Sequence, residues 1–203
     1  MSQIALPLSI SRPGGARAII VGNGNRAAAD ALVAPETWPY RTAILTGPPR
    51  SGKSLLAQWF EASGHGIAID GADRLDETMI FHRWNRAQED GMALLLVVDG
   101  EQWDITLPDL QTRMRASLHL EITPPDDAMA ADLILAHAEA RGLALGDGAP
   151  AYLVPRMERS YAAIERVVAE IDRLSLERKV PATLSVWRDA LDAVQGPEQG
   201  RLL

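Results

Sequence analysis

The sequence predicts an α/β fold with a parallel sheet, followed by an all-helical segment, and three observations carry that expectation. Strand-length apolar runs alternate with helical patterns over residues 40–122. The character changes after Thr123-Pro124-Pro125, beyond which the periodic stretches have helical spacing. Between the first clear strand and the helix after it lies Gly47-Pro48-Pro49-Arg50-Ser51-Gly52-Lys53-Ser54, which satisfies G-x-x-x-x-G-K-[ST].

Taken in order, Pro7, Pro13 and Gly14-Gly15 punctuate an extended arm over residues 1–15. Ala18-Ile19-Ile20-Val21 is a short apolar run ending at Gly22-Asn23-Gly24, and an alanine-rich helix over 25–33 stops before Pro35. Thr42-Ala43-Ile44-Leu45-Thr46 is a buried-strand candidate. A helix over 53–62, with Leu55, Leu56, Trp59 and Phe60, closes at Gly64. Ile67-Ala68-Ile69 is a second short strand. A helix is expected over 74–88, with Leu75, Met79, Ile80 and Trp84 on one side, ended by Gly91. Leu94-Leu95-Leu96-Val97-Val98 is continuously apolar, as a strand buried on both faces should be. A short helix over 107–115 and a last strand over 118–122 complete the α/β part.

Asp126-Asp127 open the next helix, to about 140, where acids suit the positive end of the helix dipole. A short helix over 150–157 follows. Residues 160–178 carry Ile164, Val167, Val168, Ile171 and Leu174 at helical spacing, a last helix spans 182–194, and Gly196 to Leu203 is expected to fray.

Composition narrows the function classes. The chain of 203 residues has 20 basic and 27 acidic side chains, a net charge of −7. Residues 1–60 hold six basic groups and two acidic ones, so the basic end suits a small anion such as a nucleotide. An acidic chain without a Lys/Arg tract is a poor binder of a phosphate backbone, and direct nucleic-acid binding is not expected. Cysteine is absent, which excludes disulfides, Cys-ligated metal and thiol nucleophiles. No apolar run reaches transmembrane length and the start lacks a signal-peptide layout, so a cytoplasmic protein that binds no membrane is the expectation. His65, His82, His119 and His137 show no metal-ligand spacing, and the five tryptophans are spread as core and seam residues rather than as a base-stacking platform.

The loop at 47–54 is read as a P-loop because it follows a strand and opens a helix. Its glycines let backbone N–H groups curl around phosphates, Lys53 neutralises the terminal oxygens, and Ser54 can ligate Mg²⁺. Arg50 stands where glycine is common, so it must adopt an unfavourable backbone or reshape the cradle. A carboxylate is then needed on a strand end. Asp70, after Ile67-Ala68-Ile69, and Asp99, after the run at 94–98, both qualify, and spacing does not choose between them.

A resemblance chooses. Ile69-Asp70-Gly71-Ala72-Asp73-Arg74-Leu75-Asp76-Glu77, Phe81-His82 with Asn85, and Leu107-Pro108-Asp109-Leu110-Gln111-Thr112-Arg113 resemble the DnaA-related regulatory inactivator (Hda) family of AAA+ proteins. Gln3-Ile4-Ala5-Leu6-Pro7-Leu8 and Met157-Glu158-Arg159-Ser160-Tyr161 extend the match, which covers most of residues 3–195 in order. It implies an AAA+ P-loop base over 16–122, with ATP or ADP and Mg²⁺ as cofactors, and a small all-helical lid over 123–203. It leaves no residues for the initiator's helix-turn-helix, in agreement with the charge. Lys53 to Asp70 is short for that fold. A strand–helix unit is therefore expected to be missing, leaving a short sheet of four strands with the strand before Asp70 at an edge.

Residue by residue, the resemblance implies that Asp70 holds Mg²⁺ through water, together with Ser54. The next position is commonly acidic in the family and here is Gly71, and Asp99 stands where a small polar residue usually ends the sensor strand. An aspartate there would repel a γ-phosphate. Binding without efficient turnover is the expectation, with ADP a candidate resting ligand. Arg113 resembles the arginine finger that reaches a neighbouring subunit's ATP, the bland reading being a solvated surface arginine. Arg159 resembles the lid's phosphate-sensing arginine, against a plain helix-surface one. Val21 and Gly22 lie in a segment resembling the one that flanks adenine, though a plain strand end fits equally.

Gln3, Leu6 and Leu8 resemble the hexapeptide that binds the DNA polymerase sliding clamp, the other reading being an arm packed on its own domain. The function implied is a clamp-tethered negative regulator of DNA replication initiation that promotes ATP hydrolysis on DnaA, and a homodimer is allowed. Two other classes stay open. One is an independent P-loop ATPase or phosphotransferase, against which Gly71 speaks; the other is a nucleotide-inert adaptor, against which Lys53 and Ser54 speak.

Overall fold

The computed structural model describes residues 19–100 and 103–196. The arm with Gln3, Leu6 and Leu8, and residues 197–203, lie outside the described residues. Contacts divide the described chain into two units, one of residues 23–100 and 103–123, the other of 19–22 and 124–196.

In the first unit α1 (Arg26–Leu32) precedes β1 (Thr42–Thr46), and α2 (Lys53–Ala62) leads to β2 (Gly66–Ile69). Then come α3 (Glu77–Glu89), β3 (Ala93–Val97), α4 (Pro108–Arg115) and β4 (Leu118–Glu121). The sheet has four parallel strands in the order β2-β3-β1-β4. Four strands, with the strand before Asp70 at an edge, are what the short Lys53–Asp70 interval predicts. That edge is partly blunted, because the outward Ala68 N–H donates to Glu61 Oε1 at 2.9 Å.

Side chains alternate across the sheet. Ile44, Ile69, Leu94, Leu96 and Val98 pack with Ile80 of α3 and with Leu110 and Met114 of α4. The alternate positions Ala43, Leu45, Leu95 and Val97 are fully buried on the other face. β3, flanked on both sides and covered on both faces, is the least replaceable strand. Leu95→Ala is expected to lower stability by about 2–5 kcal/mol, read from chemical denaturation, because the cavity cannot collapse between two paired strands.

Two boundaries differ from the sequence reading, and both differences have local causes. The helix expected from Arg74 begins at Glu77, because Asp76 caps it by accepting from the Met79 N–H at 3.0 Å. Residues Ala72–Arg74 instead form a separate 3₁₀ turn that starts from Gly71 in the left-handed conformation. In the second unit the helix expected over 150–157 ends at Leu153 and passes into a 3₁₀ turn, Val154–Arg156, at Pro155, which has no N–H to continue it.

The second unit comprises α5 (Asp127–Glu139), α6 (Ala149–Leu153), α7 (Tyr161–Arg178) and α8 (Leu184–Gln195). Ile134, Leu153, Ile164, Val167, Val168, Ile171, Trp187 and Leu191 share one core. Ser160 caps α7 by accepting from the Ala163 N–H, and Asp126 caps α5 by accepting from the Met129 N–H. Residues 19–22, which the sequence reading placed at the start of the base, group with this unit and form neither strand nor helix. A Cβ on Gly22 would meet the Met129 side chain at 2.6 Å, so that backbone lies directly on α5. No described helix is long and apolar enough to cross a membrane.

Candidate functional site

The P-loop joins the carboxyl end of β1 to the amino end of α2. Gly47 has φ +150°, and a Cβ there would approach Ile122 Cβ to 2.8 Å, so the close pass beside the end of β4 needs glycine. Gly52 precedes α2 at φ +89°. Arg50 takes the first of the two outcomes open to it, a positive φ of +65°. Lys53 is 6% exposed and its Nζ donates to Gly47 O at 2.7 Å and Pro48 O at 3.1 Å, which folds the amine back over the loop. Ser51 Oγ is buried without a hydrogen-bond partner among the described residues. An orphaned hydroxyl and a bent-back amine, in a loop that opens a helix, fit a phosphate group. Ser54 is exposed on the first turn of α2, where its hydroxyl is available to a cation. Among the described residues no group of three His, Cys, Asp or Glu could hold a metal alone.

The two candidate carboxylates occupy different surroundings. Asp70 follows β2 and is exposed. Asp99 lies beyond β3, which is paired directly with β1, and its Oδ1 is 3.9 Å from Lys53 Nζ. Its Oδ2 is 3.0 Å from Arg74, and its backbone N–H donates to Asp73 Oδ1 at 3.3 Å. Asp99 therefore bridges the P-loop lysine and an arginine. Gly71 makes room for this arrangement, since a Cβ there would stand 2.4 Å from Arg74 Nη2. The position where the resemblance implies a second acid is thus filled from outside by a cation. Sequence reading placed Arg74 in a helix and assigned it no role. The signal was Gly71 three residues ahead of it, followed by the capping Asp76.

Arg113, near the end of α4, is half-buried rather than solvated. Its guanidinium lies 4.1 Å from the Trp84 ring centre and 4.5 Å from that of Phe81, and Nη1 donates to Asn85 Oδ1 at 2.5 Å. Trp84 Nε1 donates in turn to Thr42 Oγ1 at 3.0 Å, and Thr42 is the first residue of β1. The P-loop starts after the last residue, Thr46. At about 3.3 Å per residue, roughly 13 Å of strand separate the anchor of Arg113's stacking partner from that loop.

Glu77 fixes the approach to α4. Its carboxylate accepts from Thr106 N–H at 2.9 Å, Leu107 N–H at 2.6 Å and the Thr106 hydroxyl at 2.9 Å. The two backbone donors, Thr106 first, hold its pKa below the ordinary 4.5, against a smaller opposing effect of burial. The stabilisation is complete above 4.5 and is lost as the pH falls through the lowered folded value. An NMR titration of the Glu77 carboxyl is expected to show a midpoint below 4.5, and Glu77→Gln should raise exchange of the Thr106 and Leu107 amides.

In the second unit Arg159 is exposed and paired with Asp127 of α5, Nε to Oδ1 at 3.0 Å and Nη2 to Oδ2 at 3.3 Å. An exposed pair of this kind contributes about 0–1 kcal/mol, so it is readily exchanged for another anion. Tyr161 beside it is buried, and its pKa is pushed up to about 12 by that burial and by the charge of Asp126.

No protein-family model matches the chain. Solved structures share its fold. Domain III of the Thermotoga maritima replication initiation protein DnaA superposes with a TM-score of 0.72 at 15% identity, over 88% of this chain and 95% of that one. DnaA from Aquifex aeolicus, bound to AMPPCP, gives 0.64 at 19% identity, over 83% of this chain and 69% of that one. The FIGL-1 AAA domain in complex with ADP gives 0.63 at 14% identity, over 94% and 87%. The fold of this chain is therefore the one these DnaA and AAA domains have.

Proposed function

We propose that this chain is an adenine-nucleotide-binding regulator of replication initiation that acts on DnaA. In this reading, Gln3, Leu6 and Leu8 tether it to the DNA polymerase sliding clamp, and Arg113 promotes hydrolysis of the ATP held by DnaA. The observation that carries the reading is the seat of Arg113. Its stacking partner is anchored at the amino end of β1, and the P-loop lies at the carboxyl end of the same strand. An arginine so placed is out of reach of its own chain's nucleotide and can act on another subunit's.

ATP or ADP would be held by the backbone N–H groups of Arg50, Gly52, Lys53 and Ser54, since Pro48 and Pro49 have none, and by the Lys53 amine, with Arg159 as a further anion ligand. Mg²⁺, when bound, supplies charge neutralisation at the phosphates, and Ser54 and Asp70 are the residues that would hold it. Hydrolysis by the chain itself is expected to be weak, because Gly71 offers no acid to orient water and Asp99 already faces Lys53. Asp99 sets the terms here. A γ-phosphate must be accommodated beside a carboxylate.

The reading is tested by the rate of hydrolysis of ATP-bound DnaA on clamp-loaded DNA, with and without this protein. Stimulation is expected, and replacing Gln3, Leu6 and Leu8 together by alanine should abolish it at low protein concentration while leaving the nucleotide-induced thermal shift unchanged. Strong steady-state hydrolysis by the isolated chain, lost with Asp70→Ala, would favour an independent ATPase instead.

A further inference from the structure

The carboxyl ends of β2, β3 and β1 lie side by side in the sheet, and charged groups from all three meet there. Val98 N–H donates to Leu45 O at 3.0 Å, so the chain stays tied to β1 up to the residue before Asp99. Asp73 then fixes the Asp99 backbone N–H, while the Asp99 side chain is 48% exposed and held by ion pairs alone among the described residues. One carboxylate oxygen stands 3.9 Å from Lys53 Nζ and the other 3.0 Å from Arg74 Nη2. A carboxylate that bridges two cations occupies the kind of place a phosphoryl group takes, with fewer oxygens and less charge. Lys53 belongs to the P-loop. The second cation of the bridge is therefore brought to the same phosphate position from a different strand.

The backbone places Arg74 there. Gly71 opens the 3₁₀ turn at φ +67°, Arg74 N–H donates to Gly71 O at 3.0 Å, and the guanidinium folds back over the glycine. A Cβ at 71 would lie 2.4 Å from Nη2, 2.9 Å from Nε and 3.1 Å from Cζ, so any other residue at 71 moves the fork. Asp99 is the one carboxylate paired with Arg74 among the described residues. The pair is exposed, 69% on the arginine side, and such pairs contribute little, so Arg74 can exchange Asp99 for a stronger anion. We propose that Arg74 is a second phosphate-binding cation of this site, which takes the terminal phosphoryl group of a nucleoside triphosphate while Asp99 turns aside into solvent. The proposal rests on the P-loop reading given above. A cation that grips the terminal phosphate then stands where the resemblance implies a water-orienting acid.

Calorimetric titration of the whole chain with ADP and with a non-hydrolysable ATP analogue tests this. Arg74→Ala alone does not decide it, because losing Arg74 also leaves Asp99 uncompensated beside Lys53. The informative comparison is made in the Asp99→Asn background, where that indirect effect is gone. There Arg74→Ala is expected to weaken binding of the ATP analogue by about tenfold, the scale of one charge-assisted contact, and that of ADP by less than about twofold. Arg74→Lys should restore only part of the loss, because an ammonium lacks the planar fork. The melting temperature without nucleotide should not change, since the Arg74 side chain is exposed. If Arg74→Ala in that background binds the ATP analogue as tightly as Asp99→Asn does, Arg74 only neutralises Asp99, and the proposal is overturned while the P-loop stands. Equal losses for the analogue and for ADP would overturn it too, as an effect of the general potential. If Lys53→Ala keeps the wild-type affinity for both nucleotides, the P-loop reading fails and takes the proposal with it. Should the double variant not fold, Arg74→Gln in the same background is read by the same outcomes.

Discussion

Arg113→Ala should abolish the stimulation of DnaA hydrolysis while leaving this chain's own nucleotide binding unchanged. Arginine fingers supplied in trans contribute about 10³–10⁵ in rate, or about 4–7 kcal/mol, so even a poorly seated finger leaves a measurable deficit. A finger standing free in solvent would contribute nothing to the fold, but Arg113 does not stand free. Arg113 is half-buried against Phe81 and Trp84, with contacts of 4.5 Å and 4.1 Å, so its removal should also cost about 1–2 kcal/mol of stability. The melting temperature should therefore fall by a few degrees, about 2–4 °C per kcal/mol at this chain length. Arg113→Lys separates the two effects. It keeps the stem and the charge, so much of the stability should return, but the planar fork is gone and stimulation should stay low. Full stimulation by Arg113→Ala would refute the trans mechanism and leave only a nucleotide-binding chain.

What the sequence made legible, and what it did not, divides along the range of the forces involved. β1, α2 and β3 were readable because their apolar runs and the Gly-rich loop between β1 and α2 are local patterns that tertiary contacts only reinforce. The edge position of β2 was legible only through the resemblance, since the Lys53–Asp70 interval is too short for the strand and helix that the resemblance would place there. The start of α3 was misplaced by three residues because apolar periodicity at Leu75 continues the helical pattern backwards, while the true boundary is set by the Asp76 side chain. That shift matters for function, because it releases Arg74 into a 3₁₀ turn and brings it to Asp99, a partner 25 residues away in the chain. The contacts around Arg113 were equally invisible. Asn85 and Arg113 meet only because α3 and α4 pack on the same face of the sheet, and spacing in sequence carries no trace of that contact. The sequence could thus name residues singly by motif, whereas pairs made by packing left no mark in it.

The second large effect belongs to Lys53 and depends on one of those pairs. Lys53→Ala should abolish the thermal shift given by ATP and by ADP, because it removes the one buried cation of the loop and leaves the carbonyls of Gly47 and Pro48, which it now satisfies, to repel a phosphate. Retention of the shift would place the nucleotide elsewhere and end the P-loop reading. Asp99→Asn is the informative companion. In the present arrangement Asp99 holds 3.9 Å from Lys53 and 3.0 Å from Arg74, so it is already a counter-ion to both cations. Two unit charges at 4 Å interact by about 4 kcal/mol at an effective dielectric constant of 20, and half-exposure of Asp99 reduces this several-fold. Removing the carboxylate should therefore tighten nucleoside triphosphate binding by about tenfold, on the scale of 1.4 kcal/mol per factor of ten. Diphosphate binding should tighten less, because its charge ends one phosphate short of the carboxylate. Calorimetric titration of both nucleotides against wild type and Asp99→Asn reads the difference directly. Equal gains for both would mean that Asp99 acts only through the general potential of the loop, and a loss for both would mean that it orders Lys53 and Arg74 for binding instead of competing for them.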